Sequence, residues 1–387
     1  MHIAWLGKKT PFCGNVTYGR EVTNALLDRG HPVSFLHFAQ PDSAHAPVAS
    51  SCAEIALPFL YKSQVYTIPT LKSSRVLMRS LQHLKPDLVH ASLTLSTLDF
   101  RLPDICTTLN IPLVATFHPP FDSKIRNLKS STQYLTYQFY APFLANYDRV
   151  IVFSNIQKDL LVRLGVPDRR VTIIPNGVDI QKYFPGSSPL KTRLNAERLY
   201  VYMGRIATEK NVEAMLKAWK QTPMGPRTKL LIVGDGPLAA SLKQFYGPQD
   251  GIIWYGYEAD EQRRIEILRA ADVFILPSLV EGLSLALLEA MACGVACIAT
   301  DAGADGEVID QGAGMVMDTH DVTGQLKTLL PICRDHPELV KLLGQKARER
   351  VLDRYTLHYN ITRLEHLYSE VVEVPLVEYN YSQWGSP

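Results

Sequence analysis

The stretch SLVEGLSLALLEAMACG, residues 278–294, follows a short apolar run and carries clear signals for the start and the end of a helix. Ser284 is a typical N-cap, and Gly294 is typical of the left-handed position that ends a helix. The pattern predicts a helix over Leu285–Cys293. With the apolar run before it, the stretch forms one strand–loop–helix unit, which is the repeating element of an α/β fold.

Two glutamates lie on either side of this predicted helix start. Glu281 falls in the loop, and Glu289 falls in the second turn, about 8 Å further along the helix axis. The backbone N–H groups of Leu283, Ser284 and Leu285 lie between them and are expected to form an anion site. The order of carboxylate, anion site and carboxylate suits a sugar, a diphosphate and a ribose. The alternative is an ordinary helix, in which Glu289 would be an unpaired carboxylate among apolar neighbours, and this is costly.

Other short apolar runs alternate with amphipathic helical segments along the whole chain. Runs of this length, separated by helices, indicate strands of parallel sheets that are covered on both faces. The first predicted helix is about Tyr18–Arg29. The predicted strands are Ile3–Leu6, Val33–His37, Leu88–His90, Leu113–Thr116, Val150–Phe153, Leu199–Met203, Lys229–Val233, Ile252–Tyr255, Val273–Leu276 and Ala296–Ile298.

The turn-forming segment IIPNGVD, Ile173–Asp179, separates two sets of predicted strands. We therefore divide the chain into domains over 1–177 and 178–356. A C-terminal helix over about 357–387, strongest in pattern over Leu357–Glu373, is expected to pack back onto the first domain. The length of 387 residues also favours two domains.

The composition is that of an ordinary globular protein, with 46% hydrophobic and 20% charged residues. No run approaches the roughly 18 apolar residues of a membrane span. Lys8 and Lys9 interrupt the first apolar run, so no secretory signal is predicted. The six cysteines are scattered, and their spacing favours buried, reduced thiols over a zinc site.

The net charge of +2 hides an asymmetry between the two halves of the chain. Residues 1–175 carry 18 Lys and Arg against 11 Asp and Glu, whereas the remainder carries 22 against 27. A basic first half is typical of a protein that meets an anionic surface or partner. The alternative is ordinary solvated charge.

Three further motifs place polar residues at the ends of predicted strands. MGRIATEKN, residues 203–211, puts Arg205 and Lys210 where open α/β sheets bind ligands, and both suit phosphate oxygens. PFCGNVTYG, residues 11–19, contains Gly14, which permits close backbone approach. It matches neither the dinucleotide-binding nor the P-loop pattern.

TFHPPFD, residues 116–122, places His118 at a strand end, where it suits a sugar hydroxyl or a developing charge, although a lone histidine is as often structural. WYGY, residues 254–257, would let a flat base approach Gly256 and Tyr257, or would simply turn the chain.

In this order, the motifs resemble the retaining glycosyltransferases of family four, which carry paired glutamates. The resemblance spans essentially the whole chain and implies the GT-B fold, in which two Rossmann-like domains with parallel sheets face each other across a cleft. It implies an acceptor on the first domain, a nucleotide-sugar donor on the second, and no metal or other cofactor.

The resemblance also implies roles for individual residues. Arg205 and Lys210 would bind the diphosphate, and Glu281 would bind donor-sugar hydroxyls. The remaining implied contacts are Gly282, Leu283 and Ser284 beside the sugar through their backbone, Glu289 on the ribose, Gly256 and Tyr257 beside the base, His118 on the transferred sugar and Gly14 near the phosphates.

More narrowly, GNVTYGREVTNALLDRGH and ATFHPPFD look like the galactolipid synthases of cyanobacteria. This implies UDP-galactose as donor, monogalactosyldiacylglycerol as acceptor, a peripheral location on the cytoplasmic side of a thylakoid or plasma membrane, and no nucleic-acid partner. Rival interpretations are an epimerase of the same fold, a transferase for soluble acceptors, and a non-catalytic sugar-nucleotide-binding protein.

The segment over residues 121–150 is expected to meet the anionic membrane surface. Lys124, Arg126 and Lys129 precede an aromatic and aliphatic stretch, Tyr134–Leu144, and this combination is typical of interfacial segments. The alternative is that Tyr134–Leu144 is a core helix.

Overall fold

The computed structural model describes residues 1–9, 14–38, 53–63, 66–93, 95–121 and 128–373, and it describes the side chains of the last range from residue 133. The first sheet has seven parallel strands in the order β3-β2-β1-β6-β7-β8-β9. Its strands are β1 Ile3–Gly7, β2 Val33–Phe38, β3 Ala53–Leu57, β6 Leu88–Ser92, β7 Leu113–Thr116, β8 Arg149–Val152 and β9 Val171–Ile173. A separate antiparallel hairpin consists of β4 Phe59–Lys62 and β5 Thr67–Pro69.

The second sheet has six parallel strands in the order β12-β11-β10-β13-β14-β15. Its strands are β10 Arg198–Met203, β11 Thr228–Val233, β12 Ile252–Gly256, β13 Val273–Leu276, β14 Ala296–Thr300 and β15 Met315–Met317. Central strands such as β13 and β14 are buried along their whole length, which explains their continuous apolar sequence.

Helices connect the strands and cover the sheets. Those before residue 180 are α1 Gly14–Asp28, α2 Ser73–Leu84, α3 Leu102–Leu109, α4 Leu128–Leu144 and α5 Asn155–Arg163. The later ones are α6 Leu190–Arg193, α7 Val212–Lys220, α8 Ala239–Phe245, α9 Glu261–Ala270, α10 Leu285–Ala292, α11 Asp305–Ile309, α12 Val322–Asp335, α13 Pro337–Arg354 and α14 Leu357–Glu373. Short 3-10 turns lie at Asp168–Arg170, Thr208–Lys210 and Pro248–Asp250.

All ten predicted strands coincide with strands of the structure. The predicted start of the first helix is wrong, because α1 begins at Gly14 rather than Tyr18. The edge strand β3 was not predicted, since most of its residues are exposed or half-exposed and it lacks an apolar run.

The chain passes between the two sheets twice, and the two passages lie side by side. The Val178 N–H donates to the Tyr355 carbonyl and the Leu357 N–H donates to the Val178 carbonyl, both at 2.9 Å. After the second passage, α14 packs against α1. Its Tyr368 hydroxyl lies 2.5 Å from His90 Nδ1 in the first sheet, and its Glu365 pairs with Arg29 at 2.5 Å. The last helix therefore completes the first domain.

The cysteines of the described residues, Cys106, Cys293, Cys297 and Cys333, are buried free thiols. Burial raises the pKa of Cys106 and of Cys293 to about 12 in each case, so both are protonated at neutral pH. Within the described part of the chain, no helix is both long and apolar enough to cross a bilayer.

The described side chains of the segment expected to meet the membrane are partly buried and partly exposed. Tyr137, Tyr140 and Leu144 of α4 are buried, whereas Leu135 and Phe139 are exposed. The basic side chains at positions 124, 126 and 129 lie outside the described residues.

Candidate functional site

The second sheet reverses its strand order between β10 and β13. The chain runs outward from β10 through β11 to β12 and then returns to the other side of β10. Such a switch point leaves a crevice at the carboxyl ends of the two strands, and ligands of open α/β sheets bind there. Arg205 and Lys210 follow β10, whereas Glu281 follows β13. The residues predicted from two separate motifs therefore meet at one crevice.

Lys210 and Glu281 form an ion pair across this crevice. The Ser278 hydroxyl donates to the same Glu281 carboxylate at 2.8 Å, and Glu281 is buried. Arg205 pairs with Glu209, whose carbonyl accepts from the Leu279 N–H at 2.8 Å. The turn that carries the two cations is thus fixed to the loop that carries the predicted sugar-binding carboxylate.

The turn after β14 holds the loop 281–284 in place. Gly303 has φ +59°, and a Cβ there would lie only 2.2 Å from the Glu281 carbonyl oxygen. The Ala304 N–H donates to the Gly282 carbonyl at 2.7 Å. A glycine is required at 303 because the two backbones touch.

Asp305 binds one of the backbone N–H groups that were expected to form an anion site. Its Oδ1 accepts from the Ser284 N–H at 2.8 Å, so this backbone group does not point to an empty anion site as predicted. Ser284 does cap α10, as predicted, by accepting from the Leu287 N–H at 3.3 Å. Burial, together with the nearby Glu281 charge, raises the pKa of the Asp305 carboxyl well above its usual range. A protonated Asp305 can hold the loop without adding a second negative charge.

The glycines of VGDGP, residues 233–237, allow close contact with the backbone of the loop after β10. A Cβ at Gly234 would lie 1.9 Å from the Gly204 carbonyl oxygen, and one at Gly236 would lie 2.3 Å from the Ile206 carbonyl oxygen. Gly256 ends β12 with φ +89° and open space around its Cβ position, and its carbonyl accepts from Gly234 N–H at 2.7 Å. Tyr257 follows it and is exposed. A flat ring can reach this strand end.

Glu289 lies in the second turn of α10, as predicted, and is partly buried. Burial raises the pKa of its carboxyl to about 7, although the Arg264 guanidinium and the Tyr183 hydroxyl oppose this shift. Its polar neighbours therefore offset only part of the cost of burying this carboxylate.

The first sheet has its own switch point, between β1 and β6. The Ser92 hydroxyl, at the end of β6, lies 2.8 Å from Asn15 Oδ1 at the start of α1 and 2.8 Å from His118 Nε2. The Tyr18 ring packs edge-on against His118 at 4.9 Å. Burial and the Lys8 charge lower the pKa of His118 to about 3. The imidazole is therefore neutral, and it suits a hydroxyl better than a developing negative charge.

Contacts between the domains bring the two crevices together. The Phe121 N–H, three residues after His118, donates to the Glu281 carbonyl at 3.2 Å. The Asn176 side-chain amide donates to the Leu283 carbonyl at 2.8 Å, and the Asn155 amide donates to Glu307 at 2.8 Å. His118 and Glu281 thus border one cleft.

The sequence matches the family profile Glycosyltransferase Family 4 over residues 14–182 and the profile Glycosyl transferases group 1 over residues 190–350. The two matches together span both domains. The chain belongs to the GT-B glycosyltransferases of family 4 and group 1.

Two relatives show how far this glycosyltransferase resembles enzymes of known name. One relative is the Escherichia coli UDP-Gal:alpha-D-GlcNAc-diphosphoundecaprenol alpha-1,3-galactosyltransferase. The two sequences are 27% identical over 79% of this chain and 81% of the relative. The chain is 23% identical to the sulfoquinovosyl transferase SQD2 of Arabidopsis thaliana, over 93% of this chain and 70% of that one.

Solved structures confirm the fold of the glycosyltransferase. Sucrose-phosphate synthase from Thermosynechococcus elongatus superposes with a TM-score of 0.74 at 22% identity, covering 95% of this chain and 98% of the other. The Anabaena protein HepE in complex with UDP superposes with a TM-score of 0.76 at 16% identity, covering 96% and 100%.

Several residues that border the cleft of this glycosyltransferase were not predicted as site residues. Asn176 was predicted only as part of a turn, and Asp305 lies in none of the motifs described above. Asn15 and Ser92 gave no signal beyond their positions at a helix start and a strand end. Gly14 opens α1 with nothing within 4 Å of its Cβ position, and the loop 10–13 before it lies outside the described residues.

Among the residues that the structure describes, no group of three or more His, Cys, Asp or Glu side chains is placed to hold a metal ion.

Proposed function

We propose that this glycosyltransferase moves a hexose from a UDP-sugar onto a membrane glycolipid with retention of anomeric configuration. The observation that carries the proposal is the Lys210–Glu281 pair at the switch point of the second sheet, joined through the backbone of Phe121 to the His118 loop of the first. One domain thereby offers groups for a charged leaving group, and the other offers a neutral imidazole for a hydroxyl.

The reaction would break the bond between the anomeric carbon and the diphosphate oxygen. The acceptor hydroxyl would form its bond to the anomeric carbon from the same face, and its proton would pass to the departing phosphate oxygen. Lys210 and Arg205 would stabilise the charge that develops on the diphosphate, which is the largest contribution expected from the protein. Glu281, oriented by Ser278 and Lys210, would bind sugar hydroxyls. The closed cleft would exclude water and suppress hydrolysis.

We further propose UDP-galactose as donor and monogalactosyldiacylglycerol as acceptor, with digalactosyldiacylglycerol as product. Support comes from the sequence resemblance and from the relatives, one of which is the UDP-Gal:alpha-D-GlcNAc-diphosphoundecaprenol alpha-1,3-galactosyltransferase. A phosphatidylinositol dimannoside mannosyltransferase is also similar, at 28% identity over 45% of this chain.

A donor screen tests the proposal most directly. Purified protein is incubated with a panel of UDP- and GDP-sugars and with no acceptor, with monogalactosyldiacylglycerol dispersed in detergent, or with free sugars. The released nucleotide and the glycosylated products are measured. Rapid galactosyl transfer from UDP-galactose supports the proposal. Transfer only to free sugars, or release of no nucleotide from any donor, contradicts it and favours a soluble-acceptor transferase or a non-catalytic binding protein.

Catalysis is expected to need no divalent metal. Arg205 and Lys210 would supply positive charge for the diphosphate. Turnover should therefore change less than about twofold when EDTA is added. Loss of activity in EDTA with recovery in Mg²⁺ or Mn²⁺ would show that a metal carries this charge.

Donor affinity is expected to rise with pH through the titration of Glu289. Its pKa is raised to about 7, so the carboxyl is protonated below that pH and ionised above it. Only the ionised form can accept hydrogen bonds from both ribose hydroxyls at full strength. The KM for the donor should therefore fall by about threefold or more between pH 6 and pH 8. Glu289→Gln should remove this step, and persistence of the step in that variant would assign the titration to another group.

A further inference from the structure

The hairpin β4–β5 carries a cluster of exposed apolar side chains. Of the sixteen large apolar side chains that are exposed in the described residues, five lie between positions 60 and 71. These five, called here the hairpin face, are Leu60, Tyr61, Tyr66, Ile68 and Leu71. Leu60 is 73% exposed and Leu71 is fully exposed. Clusters of this kind on a soluble domain mark interaction surfaces.

The hairpin lies at the same edge of the first sheet as the cleft. β4 begins two residues after β3 ends, and the Lys62 ammonium donates to the carbonyl of Phe38, the last residue of β2, at 2.8 Å. The Thr67 N–H donates to the Leu95 carbonyl, beyond the end of β6, at 3.3 Å. His118 and Ser92 lie at the carboxyl ends of β7 and β6, so the hairpin lies at the same edge of the first sheet as these two side chains.

A basic stripe adjoins the hairpin face. Lys72, Arg75 and Arg79 are exposed at and after the start of α2, and their spacing of three and four residues places them along one side of the helix. None of the three forms an ion pair with a described residue. The sequence from 55 to 86 contains five Lys and Arg and no Asp or Glu. The basic stripe thus lacks internal neutralisation and suits a polyanionic surface.

Two exposed apolar side chains of α4, Leu135 and Phe139, add to the apolar surface of the first domain. Phe139 packs edge-on against Phe100 of the loop after β6 at 5.2 Å and remains exposed, as does Leu135. The loop also carries the Leu95 carbonyl that holds the hairpin. The loop after β6 therefore contacts both α4 and the hairpin.

We propose that the hairpin face and the basic stripe dock this glycosyltransferase on an anionic bilayer. The apolar side chains would enter the interface between headgroups and acyl chains, and Lys72, Arg75 and Arg79 would contact anionic headgroups. Tyrosines such as Tyr61 and Tyr66 suit this interface because each has an apolar ring and a polar tip. The inference rests on the proposed function, since docking at this edge would present a lipid acceptor to the cleft.

Vesicle cosedimentation tests the docking without any sugar donor. The probes are vesicles of phosphatidylcholine alone and of phosphatidylcholine with phosphatidylglycerol. Leu60→Ser with Leu71→Ser, and Lys72→Glu with Arg75→Glu and Arg79→Glu, should each weaken binding to the anionic vesicles at least about tenfold. Wild-type binding should also weaken as salt rises from about 0.01 M to about 1 M, because the Debye length falls from about 30 Å to about 3 Å.

Matched variants on the second domain serve as controls. Leu342→Ser with Leu352→Ser removes two exposed leucines, and Lys217→Glu with Lys341→Glu and Lys346→Glu reverses three exposed lysines. Both controls should bind vesicles as the wild type does. Equal losses in the controls, undiminished binding in both test variants, or equal wild-type binding to uncharged vesicles would overturn the docking surface. A wild-type dimer that becomes monomeric in the serine variant, with vesicle binding unchanged, would assign the hairpin face to contacts between copies.

Transfer assays separate this inference from the proposed function. The test variants should release nucleotide from the donor at the wild-type rate and glycosylate detergent-dispersed acceptor normally, while transfer to acceptor in anionic vesicles falls at least about tenfold. If the variants weaken vesicle binding but the wild-type protein transfers no sugar, the docking surface is supported and the proposed function is contradicted.

Discussion

Lys210→Ala and Glu281→Ala are each expected to lower turnover at least about a hundredfold while the protein stays folded. In the proposed mechanism, Lys210 would supply positive charge for the departing diphosphate, and Glu281 would bind the sugar beside it. Since the two side chains form one ion pair at the switch point of the second sheet, each also orients the other. The measurement is kcat with the donor identified in the screen, together with a circular dichroism melt.

Lys191→Ala is the matched control for this experiment. Lys191 pairs with Asp272 at 2.6 Å in a similarly half-buried setting, but Asp272 precedes β13, at the opposite edge of the same sheet. This control should keep turnover within about threefold, because the pair lies at the opposite edge of the sheet from the crevice. Near-normal turnover in a folded Lys210 or Glu281 variant would contradict the site. The double variant should lose little more than either single variant, because residues that act as a unit are not additive.

Gly303→Ala is expected to reduce the free energy of unfolding by at least about 2 kcal/mol and turnover by about a hundredfold. The added Cβ would lie 2.2 Å from the Glu281 carbonyl oxygen and 2.6 Å from that of Gly282, so the loop 281–284 must move. A displacement of about 1 Å at a site is enough for a loss of this size. Urea unfolding and kcat measure the two effects.

Gly225→Ala is the control that separates the effect of the steric clash at Gly303 from the effect of backbone strain alone. Gly225 has φ +85°, so alanine is strained there as well, but no atom lies within 4 Å of its Cβ position. This control should lose about 1 kcal/mol and keep its turnover. If the two variants behave alike, contact between the turn at Gly303 and the loop at Glu281 has no bearing on activity.

The sequence predicted the strands and the helix that carry the site because their signals are local. Ten apolar runs gave ten strands, and Ser284 marked the start of α10 as an N-cap. Contacts between residues that are distant in sequence leave no such local signal and were not predicted. Nothing near Ser284 in sequence indicates that its N–H is taken by Asp305, 21 residues away, and nothing near Asn176 indicates its bond to Leu283.

The segment that was expected to meet the membrane, residues 121–150, shows the same limit of a local pattern. Aromatic residues in an amphipathic pattern predict a face but not what covers it, and Tyr137, Tyr140 and Leu144 proved to be buried. The hairpin face escaped attention because its strands are short and their burial is irregular, so they lack the apolar run that identified the other strands.

The closure of the first sheet by α14 has a consequence for how the protein is made. His90 and Tyr368 are 278 residues apart in sequence yet share a buried hydrogen bond. At about 5–20 residues per second, a ribosome needs roughly 15 to 55 s to travel from one to the other. Throughout that interval the nascent first domain lacks its last helix, and the Arg29 side chain lacks its Glu365 partner. The first domain therefore begins to be synthesised before the second, yet it is completed only after the second domain has been synthesised.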